Sequence, residues 1–141
     1  MTNRLTEIRA AAVELLKQRF QRVYSGRAFA PAQAQLPCVV VYFDSRRSEA
    51  ATMDYPPVYR HTARLITLVC VQANENADAL AEEMLALIGQ VFAESPDCNM
   101  GADGLDDLSP DLLNIESVDG GEVATVYYQQ GWSGVYFEQG V

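Results

Sequence analysis

The stretch Val58 to Ala73, VYRHTARLITLVCVQA, changes its polar pattern halfway along. Polar Arg60, Thr62 and Arg64 alternate with Tyr59, Ala63 and Leu65, and from Leu65 to Val71 the chain is almost wholly apolar. The stretch is rich in β-branched residues and has no Gly or Pro. It predicts one long strand, half-solvated where it begins and buried on both faces where it ends. Such a strand needs partner strands and a helical layer, and the flanking patterns predict both.

Before it, Leu5 to Arg22 carries Leu5, Ile8, Ala12, Leu15, Leu16 and Phe20 on one helical stripe, with Glu7, Arg9, Glu14, Lys17 and Arg22 elsewhere. Thr2 or Asn3 is placed to cap this helix, and Glu7 suits its first turn. Val23 to Phe29, interrupted by Ser25-Gly26, predicts a short strand or a hairpin-like excursion. Cys38 to Phe43, CVVVYF, is continuously apolar and predicts a well-covered strand. Asp44 to Pro57 is polar, ends in Pro-Pro and predicts a long loop, a kind of segment that is usually functional or disordered.

After the long strand, Asn74-Glu75-Asn76 leads into a second helix, Ala77 to Glu94. Its apolar face is expected to hold Leu80, Met84, Leu87, Ile88, Val91 and Phe92, and Ser95-Pro96 ends it. Asp97 to Pro110 predicts a second, acidic loop. Leu112 to Val118 and Glu122 to Gln130 predict strands joined by Asp119-Gly120-Gly121. Val123, Thr125 and Tyr127 should line one face, and Ala124, Val126 and Tyr128 the other. Gly131-Trp132-Ser133-Gly134 is expected to break or bulge that strand. The order α-(β)-β-β-α-β-β predicts one α+β domain over residues 1–141, with two helices packed on one face of a four- to five-stranded mixed β-sheet.

Charge narrows the partners. A formal net charge of −9 argues against nucleic-acid binding through phosphates, which needs Lys/Arg clusters, and no sequence-specific nucleic-acid binding is expected. No apolar run is long enough to cross a membrane, and the polar lead MTNRLTEIR predicts a chain made and kept in the cytoplasm. Cys38 and Cys70 lie in apolar strand runs and should behave as small hydrophobes. Cys98, in a loop, is the one expected to react.

Enzyme signatures are scarce. His61 is the only histidine, and its place between Arg60 and Thr62 predicts a partly exposed strand residue rather than a catalytic base. The acidic loop fails as a calcium EF-hand, because the register with Gly104 at position 6 puts Pro110 where a glutamate is needed. A looser divalent-cation site on Asp103, Asp106, Asp107 and Asp111 is the alternative to a solvated acidic loop, and the solvated loop is the expectation; no cofactor is predicted. Seven tyrosines suit strands, yet Arg46, Arg47, Tyr55, Tyr59 and Arg60 cluster in sequence as interfaces do.

Several segments together resemble a known family: the opening Ile8-Arg9-Ala10-Ala11-Ala12-Val13 with Leu15-Leu16, Gly26-Arg27, Leu36-Pro37-Cys38-Val39-Val40-Val41-Tyr42, the strand Leu65 to Val71, Asp78-Ala79-Leu80, and Ala124-Thr125-Val126-Tyr127-Tyr128. In that order they are similar to the tail terminator proteins of long-tailed bacteriophages, the minor tail protein U type. The residues from Gly131 to Val141 extend beyond that resemblance.

The resemblance implies a structural virion protein, made in the host cytoplasm and resident in the tail, and not an enzyme. Such proteins form a ring, a hexamer on the tail, that caps the tail tube protein, stops its polymerisation and meets the head-completion or connector protein. A ring needs a heterologous interface. Arg46, Arg47, Tyr55, Tyr59 and Arg60 are the expected basic patch, and the stretch Asp103 to Asp111 (with Asp106 and Asp107), or the helix start near Asp78, the acidic one. Reversing both arginines would then weaken association at unchanged melting temperature. The other readings are a head–tail joining protein of similar fold, a small metal-dependent enzyme using the acidic loop, and a stand-alone binding module.

Overall fold

In the computed structural model, which describes residues 4–26, 35–53, 55–95, 105–118 and 124–139, the elements are α1 (Arg4–Lys17), β1 (Val23–Ser25), β2 (Cys38–Ala50), β3 (Val58–Gln72), α2 (Ala77–Glu94), β4 (Asp106–Val118) and β5 (Thr125–Gln139). The sheet order is β1-β2-β3-β5-β4. β1 runs parallel to β2, and every other pair is antiparallel. This is the two-helix, five-stranded mixed α+β sheet that the polar pattern predicts.

β3 is the centre. It pairs along its length with β5, from Val58↔Gln139 to Gln72↔Thr125, and with β2 from Cys38↔Cys70 to Ala50↔Tyr59. Strand parity sends Ala63, Leu65, Val69 and Val71 to the helix side. There they join Ile8, Ala12 and Leu16 of α1, and Ala81, Ile88 and Phe92 of α2, in the main core. On the other side Cys38, Val40 and Cys70 form a smaller cluster with Tyr24, Tyr42, Leu68 and Tyr127. Tyr127 and Tyr128 thus face opposite ways, as predicted, and Leu65–Val71 is covered on both faces.

Several boundaries move. α1 ends at Lys17 rather than Arg22, because the chain must turn (Phe20 N–H to Leu16 O, 2.8 Å) to bring Val23 beside Val39. The first short strand stops at Ser25, with Gly26 at φ 114°, a left-handed conformation that costs glycine little. In α2, Leu80 is 39% exposed and the core face is instead completed by Ala77 and Ala81. Small residues face the sheet there because the helix lies close to it. Asn74 Oδ1, rather than Asn76, supplies the turn contact before α2, accepting from the Asn76 N–H at 2.8 Å. The expected caps at Thr2 and Asn3 and the turn at Asp119-Gly120-Gly121 lie outside the described residues.

Both predicted long loops shrink. Asp44 to Ala50 continues β2 after a bulge between Phe43 and Ser45, and only 51–57 connect the strands. Asp106 to Pro110 belongs to β4, again with bulges. Apart from Leu108, which packs against the core, these strand ends are largely exposed, so they carry the polar composition of loops. Ladder pairing with β3 and β5 holds them extended all the same.

Gly131-Trp132-Ser133-Gly134 does not break β5. A Cβ on Gly131 would come within 2.8 Å of the Arg64 guanidinium, and one on Gly134 within 3.1 Å of the buried Leu105 side chain. Each glycine leaves room for a side chain crossing its face of the sheet. Between them, Trp132 packs edge-to-face on Phe92 (centroids 5.0 Å apart) and donates from Nε1 to Thr67 Oγ1 at 3.0 Å. Trp132→Ala should therefore cost about 3–5 kcal/mol in urea unfolding. Gly134→Val should cost about 1–3 kcal/mol by overpacking against Leu105. A wild-type-like midpoint for both would mean that the segment lies outside the core.

Candidate assembly interface

Beyond the helix-covered core, β2, β3 and β5 continue together as a three-stranded arm. Its tip is closed by hydrogen bonds from Ala51 N–H to Val58 O (2.7 Å) and from Val58 N–H to Thr52 Oγ1 (3.0 Å). Tyr55 stands there 97% exposed beside an equally bare Met53, and Tyr59 is partly exposed below them.

On the face away from the helices, the cross-strand pairs Arg47↔Thr62 and Glu49↔Arg60 line an open trough of about 240 Å³. Arg60 and Glu49 form a 3.0 Å ion pair with both side chains about half in water, worth about 0–1 kcal/mol. On the helix face, Arg46 donates to the hydroxyl of the buried Tyr136 at 3.0 Å. Arg46 therefore has an internal task that the sequence did not suggest, and Arg47 has none.

His61, expected to be partly exposed, is buried. It sits on the helix face of the arm, with Nδ1 2.6 Å from Ser48 Oγ and Nε2 3.4 Å from Glu138 Oε1, and with the Tyr136 ring 4.8 Å away. Ser, His and Glu in a row invite comparison with a catalytic triad. Nucleophilic catalysis also needs oxyanion donors and space for a substrate. Ser48 and His61 are directly opposed ladder partners, Tyr136 covers the imidazole, and the arm's trough opens on the opposite face. The Ser48–His61 hydrogen bond ties β2 to β3 across the arm, while the buried Nε2 of His61 makes no hydrogen bond among the described residues.

The acidic residues divide. Asp106 and Asp107 are exposed at the start of β4, and Asp107 adopts φ 55°, a left-handed conformation that Asp tolerates better than most residues. Asp111 accepts from Ser133 Oγ at 3.0 Å and lies 3.9 Å from Arg64 Nε, which is 3.6 Å from Asp44 at the β2 bulge. Arg64 thus crosses Gly131 to link three strands. Asp78, at the start of α2, accepts a hydrogen bond from Tyr128 and ties helix to sheet. Asp103 and Cys98 lie outside the described residues. Among the described residues no group of three or more His, Cys, Asp or Glu side chains is arranged to hold a metal ion.

The register places the remaining charges. Arg47 is paired with Thr62, Thr62 with Val135, and Val135 with Asp106. The basic and acidic residues therefore lie on opposite edges of the sheet at the same height along the strands. In the sequence they are only two distant polar stretches.

Cys38 and Cys70 face each other across β2 and β3 and are free and buried. Hydrogen bonding between the thiols draws Cys38 down, against burial and helped by Arg22, and pushes Cys70 up, with burial adding to the rise. Neither is open to a reagent. Tyr127 beside them is also pushed up, chiefly by burial.

The arrangement defines a class, a two-layer α+β domain in which β2, β3 and β5 extend past the helices, with Arg47 on one outer strand at that level and Asp106 on the other. Compared with known proteins, the chain matches no protein-family model and no curated relative.

Residues that sequence reasoning missed include Arg64 with Asp44, and the exposed apolar Leu112, Leu113, Ile115 and Met53. Leu113 and Ile115 alternate with polar Asn114 and Glu116, a pattern that marks an apolar face without saying what covers it. Arg46→Ala should cost about 1–3 kcal/mol, because the Tyr136 hydroxyl loses its partner. Arg47→Glu should stay within about 0.5 kcal/mol of wild type. Equal costs in guanidinium unfolding would contradict the assignment.

Proposed function

We propose that this protein is a bacteriophage tail terminator, a structural virion protein that assembles head-to-tail as a ring on the end of the tail tube. There it stops tube growth and offers the surface on which the head's connector protein docks. The observation that carries the reading is the placing of Arg47 and Asp106 on opposite sheet edges at one height. Copies related by a rotation with little shift along the strands bring those edges together. A heterologous contact of that kind closes into a ring, with charge complementarity setting the register. The resemblance of its segments, in their order, to the minor tail protein U type supports the same reading. So does a charge of −9, which suits a ring that DNA passes through without sticking.

Tyr55 and Met53 at the arm tip, with Tyr59 and Arg60 below, are then the surface for the tube or the connector. Asp78 leaves the interface, since Tyr128 already uses it.

Two experiments test the reading. Deleting the gene from its parent phage or prophage should give overlong, headless tail tubes beside DNA-filled heads in negative-stain micrographs. Tails of normal length that fail to join heads would assign the protein to head–tail joining, and infectious particles would overturn both virion readings. In solution, Arg47→Glu should weaken self-association roughly tenfold, about 1.4 kcal/mol, and Asp106→Arg in the same chain should restore it. Failure of the reversed pair to rescue would remove this contact.

A further inference from the structure

The two halves of β4 are built differently. From Asp106 to Pro110 the strand carries two aspartates, a proline and bulges, the features that protect an exposed edge from pairing with another chain. From Leu113 to Val118 it is unbulged and carries a single charge, Glu116. Leu113 is 41% and Ile115 61% exposed, although both lie on the helix face of the sheet, opposite Gln130 and Tyr128. An edge that is protected in one half and bare and apolar in the other is suited to accept a strand in that other half.

The register indicates which strand. Ile115 pairs with Tyr128, Tyr128 with Val69, Val69 with Val39, and Val39 with Val23 of β1. Leu113 leads in the same way, through Gln130, Thr67 and Val41, to Ser25. The bare half of β4 and the outer strand β1 therefore lie at one height on opposite edges, on the level below the Arg47–Asp106 pair. They run in opposite senses, so continuing the sheet from copy to copy sets them antiparallel, the slightly more stable arrangement.

Arg22 O accepts from Val39 N–H, and Gly26 N–H donates to Val41 O. Strand parity then points the backbone groups of Val23 and Ser25 outward. Beside Ser25, on the helix face, lies an open trough of about 200 Å³ lined by Ala10 and Val13 of α1, with Thr6, Arg9 and Glu14 also lining it. That is room for apolar side chains arriving on the helix face of a continued sheet.

We propose that Leu113–Ile115 of one copy pairs antiparallel with Val23–Ser25 of the next, with Leu113 and Ile115 seated against Ala10 and Val13, so that the sheet runs on through the assembly. The proposal rests on the head-to-tail reading above and names the second contact of that interface. The Arg47–Asp106 pair supplies charge complementarity at the arm end, and the strand pair supplies apolar burial and ladder hydrogen bonds at the other.

Cysteine cross-linking of the full chain tests it, in a Cys98→Ser background, with Cys38 and Cys70 left buried. Within one copy, positions 25 and 113 are four strand spacings apart, about 19 Å, well beyond the roughly 7 Å a disulfide spans. A bond between them must join two copies. Ser25→Cys with Leu113→Cys should give a ladder of covalent oligomers on a non-reducing gel after mild oxidation. The mismatched pair Ala50→Cys with Leu113→Cys, offset by about 26 Å along the strands, should stay largely monomeric, as should each single variant. Circular dichroism confirms that each variant is folded.

Equal cross-linking of matched and mismatched pairs would overturn the proposal, as would a chain that remains monomeric by sedimentation up to about 1 mM. The gene deletion reports on something else. Matched cross-links with normal tails would keep the contact and discard the tail-terminator reading, and overlong tails without cross-links would do the reverse.

Discussion

Everything in this fold depends on the double pairing of β3. A strand with a ladder on both sides for most of its length cannot change register without moving every side chain to the wrong face. That parity sends Leu65, Val69 and Val71 to the helices and Cys70 to the opposite cluster. It also holds the polar end of β2 extended, where its own composition favours a loop. The arm exists because β3 continues past the core and its neighbours continue with it.

Parity sets the functional geography as well. The ladder carries height from strand to strand across the sheet. Arg47 and Asp106, or Ser25 and Leu113, are therefore matched through intermediate residues that neither of them touches. A rotational assembly reads such a molecule from edge to edge, and complementarity at equal height is what lets a heterologous contact close. Where the edge must not form a ladder it carries Asp, Pro and bulges, and where it is bare its apolar residues face the same side as the helices.

Side chains that look like chemistry serve this frame instead. The Ser48–His61 hydrogen bond braces the arm, and Asp78 fastens α2 to β5 through Tyr128. Arg64, lying over Gly131, links the β2 bulge to β4 through Asp44 and Asp111. Each places a polar group at a junction between strands, or between helix and sheet, where apolar packing alone would leave the register weakly specified.

The sequence by itself determined the class of fold. It placed α2 at Ala77–Glu94, put the central strand where it is, buried Cys38 and Cys70, and set Tyr127 and Tyr128 on opposite faces. These follow from the 3.6- and 2-residue periods, which are local and survive in any context. It misjudged Asp44–Ala50, Asp106–Pro110 and Gly131–Gly134, because a solvated strand and a loop share a composition and only a partner strand tells them apart. A glycine that makes room for Arg64 or Leu105 reads as a breaker until the crossing side chain is known. The heights that match Arg47 to Asp106 and Ser25 to Leu113 were decided by tertiary structure alone. They are sums of cross-strand registers between segments far apart in the chain, and no local pattern encodes such a sum.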